Sequence, residues 1–206
     1  MYLQISTLVI FALFCAWVWY ESHRTVRIQK KEEEAFWERE RKANATRRKP
    51  IDHLDYIKIP DSLPYDVCAD NDDVQAAVRT IKDLSKERIL NLTGYSNTDL
   101  KLEYGAPNIT LLSLYDQNYT TLVTTLQKWA DVLLDNNETD AAIELMEFSV
   151  STKSDVGKTY RLLAKHYLEK NENDKFDNLL NTIKETRSLN KDNILTSLTS
   201  MRDKDE

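Results

Sequence analysis

Leu3 to Tyr20 is a run of 18 residues without a charge, and the thirty residues after it are densely charged. In a helix rising ~1.5 Å per residue such a run crosses most of a hydrocarbon core of about 30 Å, and its flanks complete the span. Trp17, Trp19 and Tyr20 cluster at its C-terminal end, where amphipathic rings favour the headgroup boundary. A cleaved signal peptide wants a basic start and small residues before the cut. Met1 to Gln4 hold no Lys or Arg, and the run ends in bulky aromatics. Phe14 before Cys15 also fits a lipoprotein signal poorly. Residues 1–20 are therefore expected to be a retained transmembrane anchor.

Orientation follows from the flanks. Residues 21–50 carry ten Lys and Arg, from Arg24 to Lys49, and none precedes the run. The positive-inside rule counts these bases and places the C-terminal part in the cytoplasm. The chain is read as a single-pass protein of the cell membrane. Residues 21–49 are rich in helix formers, with Glu38 and Lys42 as a supporting i,i+4 pair. They read as a charged juxtamembrane helix. Val26, Ile28, Phe36 and Trp37 keep no heptad, so a coiled coil is not indicated. Its bases suit either a solvated stalk or contact with anionic headgroups. Pro50, Pro60 and Pro64 make residues 50–66 a linker.

The remainder, residues 67–206, reads as all-α. The chain holds only three glycines and four prolines, none of the prolines after Pro107. A helix is expected from about Asp73 to Leu92, with Val74, Ala77, Val78, Ile81, Leu84 and Ile89 as its buried stripe and Gly94 as its stop. Tyr95 to Asn108 reads as irregular, a short helix is expected over Ile109 to Tyr115, and a terminal one over Lys191 to Met201. Composition excludes some functions. With 28 Lys and Arg against 34 Asp and Glu, the chain lacks the basic excess of a nucleic-acid binder. Cys15 and Cys68 make no disulfide framework, and His23, His53 and His166 have no metal-site spacing. No phosphate loop or nucleophile elbow is present. No catalytic residue, metal or cofactor is expected.

The last third repeats at a period of 34 residues. Ala130 matches Ala164, Leu134 matches Leu168, Asn137 matches Asn171, Glu138 matches Glu172, Asp140 matches Asp174, and Leu145 matches Leu179. Such a period points to one helical hairpin per unit, each stacked on the next. Accidental self-similarity within an ordinary helical bundle is the alternative. These residues resemble the tetratricopeptide (TPR) family, with units at about 119–152 and 153–190. The resemblance implies small residues at the closest helix approaches. Ala130, Ala142 and Ser149 match them in the first unit, but Phe176 and Ile183 depart from them in the second. Ser154 and Ser188 stand where the family usually ends a unit with proline. The stretches ILNLTGYSNTDLKLEYGAPN and TYRLLAKHYLE also resemble small membrane-anchored TPR-like proteins of clostridial bacteria, which implies a location and no chemistry.

The resemblance places a partner groove on the first helix of each unit. Gln127 and Asp131 fall there in the first unit, and Lys158, Arg161 and Lys165 in the second. The three bases, at i, i+3 and i+7, share one helix face. The family's carboxylate clamp for chaperone tails is not matched, because Gln127 and Asp131 stand where Lys and Asn are wanted. The face is either a binding site or a solvated charged surface. The expectation is a membrane-tethered adaptor for a protein or peptide, acidic if the basic stripe makes the contact. A structural subunit of a membrane complex, held by anchor and stalk, is the alternative. The sequence does not identify the partner or the oligomeric state.

Overall fold

The computed structural model describes the backbone of residues 2–205 and the side chains of residues 11–203. The described residues form eight α-helices, α1 Tyr2–Asn44, α2 Asp72–Leu84, α3 Asn97–Tyr104, α4 Ile109–Asp135, α5 Thr139–Ser151, α6 Gly157–Glu169, α7 Asn173–Glu185 and α8 Lys191–Asp205. No strand occurs among the described residues.

α1 is continuous from the uncharged run into the charged segment, as expected where no Gly or Pro interrupts. Every residue from 11 to 20 is exposed around the whole helix. Among the described residues no helix is long and apolar enough to cross a membrane. The expected anchor falls partly outside them, since residues 3–10 have no described side chains.

The C-terminal end of α1 is clamped to α3. Ala43 is fully buried. Arg39 pairs with Asp99 at 2.6 Å, and Lys101 with Glu40 at 3.3 Å. Thr98 Oγ1 also donates to Glu40. Backbone bonds continue the contact, from Lys49 N to the Tyr104 carbonyl and from Ala106 N to the Thr46 carbonyl. Asn108 is completely buried, donates to the carbonyls of Lys49 and Tyr104, and accepts from Arg48. Gly105, at φ +94, lies so close to the Arg47 carbonyl that a Cβ would collide with it.

The prolines do exclude helix from residues 50–66, but the segment is packed down rather than loose. Leu63 joins the main core, and Ile51 joins a smaller cluster with Leu90, Leu92, Leu100 and Leu112. This packing explains why α2 stops at Leu84 instead of running to Leu92. Ile57 N bonds to the Ile89 carbonyl, and Leu90 N to the Tyr115 carbonyl. These non-local bonds replace helical ones and let Ile89 and Leu90 enter different clusters. The start of α2 is local, because Asn71 Oδ1 accepts from the amides of Asp73 and Val74. The stretch expected to be irregular contains α3, begun by a reciprocal capping box between Ser96 and Asp99. The short helix expected at Ile109–Tyr115 is the first part of the 27-residue α4.

Part of the geometry after α4 recurs at 34 residues, although α4 has 27 residues and α6 has 13. α5 and α7 begin and end 34 residues apart. Asn137 and Asn171 both take left-handed backbone, at φ 63 and 57, a conformation Asn tolerates better than most residues. The amides of Glu138 and Glu172 then bond back to the carbonyls of Leu133 and Tyr167, at 2.9 and 2.8 Å. α5 packs on α4, α6 on α5, α7 on α6, and α8 on both α6 and α7. α2 covers the other side of α4. Trp129, Leu133, Leu145, Tyr160, Leu163 and Phe176 fill the core, with Ala130, Ala142 and Ala164 fully buried among them.

Candidate partner-binding face

α4 and α6 meet along a polar seam that contains three of the five residues singled out from the sequence. Gln127 and Asp131 lie one turn apart on α4, and Gln127 Nε2 donates to Asp131 Oδ1 at 2.8 Å. The other amide atom, Gln127 Oε1, accepts from Thr159 Oγ1 of α6 at 2.5 Å. Lys158 Nζ donates to Asp131 Oδ2 at 2.7 Å. The three bonds form one network of four residues across the two helices. Thr159 is fully buried, whereas the Lys158 side chain is 53 % exposed and that of Asp131 is 31 % exposed.

This arrangement changes the chemistry expected of the basic stripe. Lys158, Arg161 and Lys165 are all exposed, as their spacing requires. Tyr160, Leu163, Ala164 and Tyr167 face inward. Lys158, however, is paired with Asp131. Lys165 approaches Glu169 at 3.7 Å, with both side chains mostly exposed, and the Lys-before-Glu order is the weaker one on a helix. Arg161 makes no ion pair or side-chain hydrogen bond among the described residues. The face therefore offers one unengaged guanidinium beside two partly compensated ammonium groups.

Thr159 is the member of the seam that residue-type reasoning missed. A hydroxyl between an exposed lysine and a buried tyrosine carries no signal of its own until α4 is placed against it. Asp131 also borders a cleft of about 490 Å³ between α2 and α4, floored by Ala76, Ala77 and Trp129. Trp129 is buried against Tyr65, and its Nε1 has no hydrogen-bond partner among the described residues. A second cleft, of about 300 Å³, lies at the C-terminal ends of α5 and α7. Asn91 braces it by donating to Tyr119 Oη and to the carbonyls of Thr152 and Lys153. The Arg187 guanidinium lies 4.5 Å over the Tyr95 ring at its rim.

Buried hydroxyls dominate the other shifts in acidity. Burial raises the phenols of Tyr119, Tyr160 and Tyr167 well above their ordinary range. Burial also raises the Asp116 carboxyl, against the opposing bond from the Leu92 amide. Among the described residues no group of three or more His, Cys, Asp or Glu could hold a metal ion.

Set against known protein families, curated proteins and solved structures, the chain matches none.

Proposed function

We propose that this protein is a membrane-tethered adaptor, in which a TPR-like helical stack presents the α4–α6 face to a protein or peptide partner. The observation that carries this reading is the pairing of α1 with the stack. A helix apolar on every side at residues 11–20 finds a low-energy environment in a bilayer or inside a larger assembly. It is joined without a break to a folded helical domain. Tethering raises the effective concentration of such a domain for partners at the same surface. The recurrence of helix bounds and Asn turns at 34 residues supports the TPR-like assignment. The bases after Tyr20 support a cytoplasmic domain.

On this reading Arg161 is the central contact of the face, flanked by Lys165 and the Lys158–Asp131 pair. An acidic side chain of the partner satisfies Arg161 and competes with Asp131 for Lys158. The test is crosslinking of the intact protein in native membranes, comparing wild type with Arg161→Glu/Lys165→Glu. Specific capture that the variant loses, with folding unchanged, supports the adaptor. Capture that is indifferent to the variant but lost when α1 is exchanged for an unrelated anchor supports a second reading. In that reading the chain is a structural subunit held by its anchor and stalk, and the α1–α3 clamp favours it.

A further inference from the structure

The charges of α1 are layered along its axis. Beyond the aromatic cluster Trp17, Trp19 and Tyr20 stand Arg24, Arg27, Lys30 and Lys31, at spacings that put them on one side of the helix. They begin about 6 Å and end about 17 Å past Tyr20 along the axis, and Glu32, Glu33 and Glu34 follow at about 18 to 21 Å. Helical side chains lean toward the N-terminus, so the long basic chains reach back toward the aromatic cluster. The Debye length is about 8 Å at physiological salt, which places these three acids more than two screening lengths from the aromatic cluster but within one of Lys30 and Lys31, while Glu21 adjoins the cluster.

The bases of this layer are available. Arg24 has only the long, exposed contact to Glu21 at 3.5 Å. Arg27, Lys30 and Lys31 make no ion pair among the described residues, although Glu34 lies one turn from both lysines. The rest of the chain has the opposite balance. Residues 50–206 hold 28 Asp and Glu against 18 Lys and Arg. The α1–α3 clamp keeps this acidic domain away from the apolar segment, since Ala43 lies about 35 Å from Tyr20 along the helix, over four Debye lengths.

We propose that Arg24, Arg27, Lys30 and Lys31 form a collar that binds the phosphates of anionic phospholipids in the leaflet that α1 enters. The inference rests on the anchor reading above. Arg suits this role through bidentate bonding to phosphate, and Lys adds point charge. The clamp and the rigid helix between collar and domain keep the acidic surface from opposing the attraction.

The test uses the full chain in vesicles of phosphatidylcholine alone and of phosphatidylcholine with one-third phosphatidylglycerol. Flotation reports insertion, and spin-labelled analogues of each lipid report which headgroup associates. Wild type should float with both vesicles and favour labelled phosphatidylglycerol by at least about fivefold, the equivalent of one basic contact. The preference should fall toward unity in R24Q/R27Q/K30Q/K31Q and in high salt, with flotation unchanged. Flotation without a phosphatidylglycerol preference, or a preference that survives the quadruple variant, overturns the collar and leaves the anchor standing. Wild type that fails to float with neutral vesicles overturns the anchor, and the collar with it.

Discussion

Lys158 on α6 donates to Asp131 on α4 at 2.7 Å, across 27 residues of chain, within a network that includes Gln127 and Thr159. The two halves of this seam differ in energetic weight. The ion pair is half-exposed, so a double-mutant cycle on Lys158→Ala and Asp131→Ala should give a coupling of about 0.2–1 kcal/mol. Thr159→Val should cost more, about 1–3 kcal/mol, because it leaves the Gln127 carbonyl facing a buried apolar group. Denaturant titration checks both. A coupling larger than the Thr159 loss would show that charge, not the buried hydroxyl, holds α4 to α6.

Ala164 is fully buried at the centre of α6, with Tyr160, Leu163 and Tyr167 around it in the core. Ala164→Leu should overpack this contact and lower stability by about 1–3 kcal/mol. Thermal or denaturant melting measures it. An unchanged midpoint would mean that the site has room for the larger side chain.

The clamp between α1 and α3 sets where the domain can be cut. A fragment starting at residue 36 retains Arg39, Glu40, Ala43 and the Lys49 carbonyl that Asn108 requires. One starting at residue 51 loses them all and leaves Asn108 without its Arg48 and Lys49 partners. The longer fragment should melt at clearly higher denaturant concentration, and equal midpoints would refute the clamp. Asn108→Ala in the full chain should cost about 1 kcal/mol by removing the bonds to the Lys49 and Tyr104 carbonyls and from Arg48.

Acid should weaken the same clamp. Hydrogen bonding from the Thr98 hydroxyl, with Lys101 and Arg39 assisting, holds the Glu40 carboxyl below its ordinary 4.5. Bonds from Ser96, with Arg39 nearby, hold Asp99 below 3.8. Both acids bind protons less readily in the folded state, so their contribution is complete above the unfolded values and is lost as pH falls through the folded ones. A distance label between α1 and α3 should report loosening below about pH 4.5. Glu40→Gln should remove most of that dependence, and an unchanged profile would assign it elsewhere.

Protease added to intact cells should leave the domain uncut if the bases after Tyr20 orient it inward. Cleavage beyond Glu21 without permeabilisation would reverse the orientation.

Legibility followed the range of the interaction. The helical character of α4 to α7 could be read from sequence because its cause is local, an apolar stripe along each helix. The capping box of Ser96 and Asp99 was equally local, a readable signal within a stretch that looked irregular. The inward set of α6 and its exposed bases followed from spacing alone. The end of α2 at Leu84 did not, because the bonds that stop it come from Ile57 and from Tyr115, far along the chain. Likewise, helical spacing put Lys158 on an exposed face but was silent about Asp131 of the neighbouring helix. Sequence by itself determined that the chain is helical, which residues of α6 turn inward and that an uncharged run precedes a charged one. Tertiary structure alone decided which charges are already matched and how firmly α1 is held, because partners separated by tens of residues meet only once the helices pack.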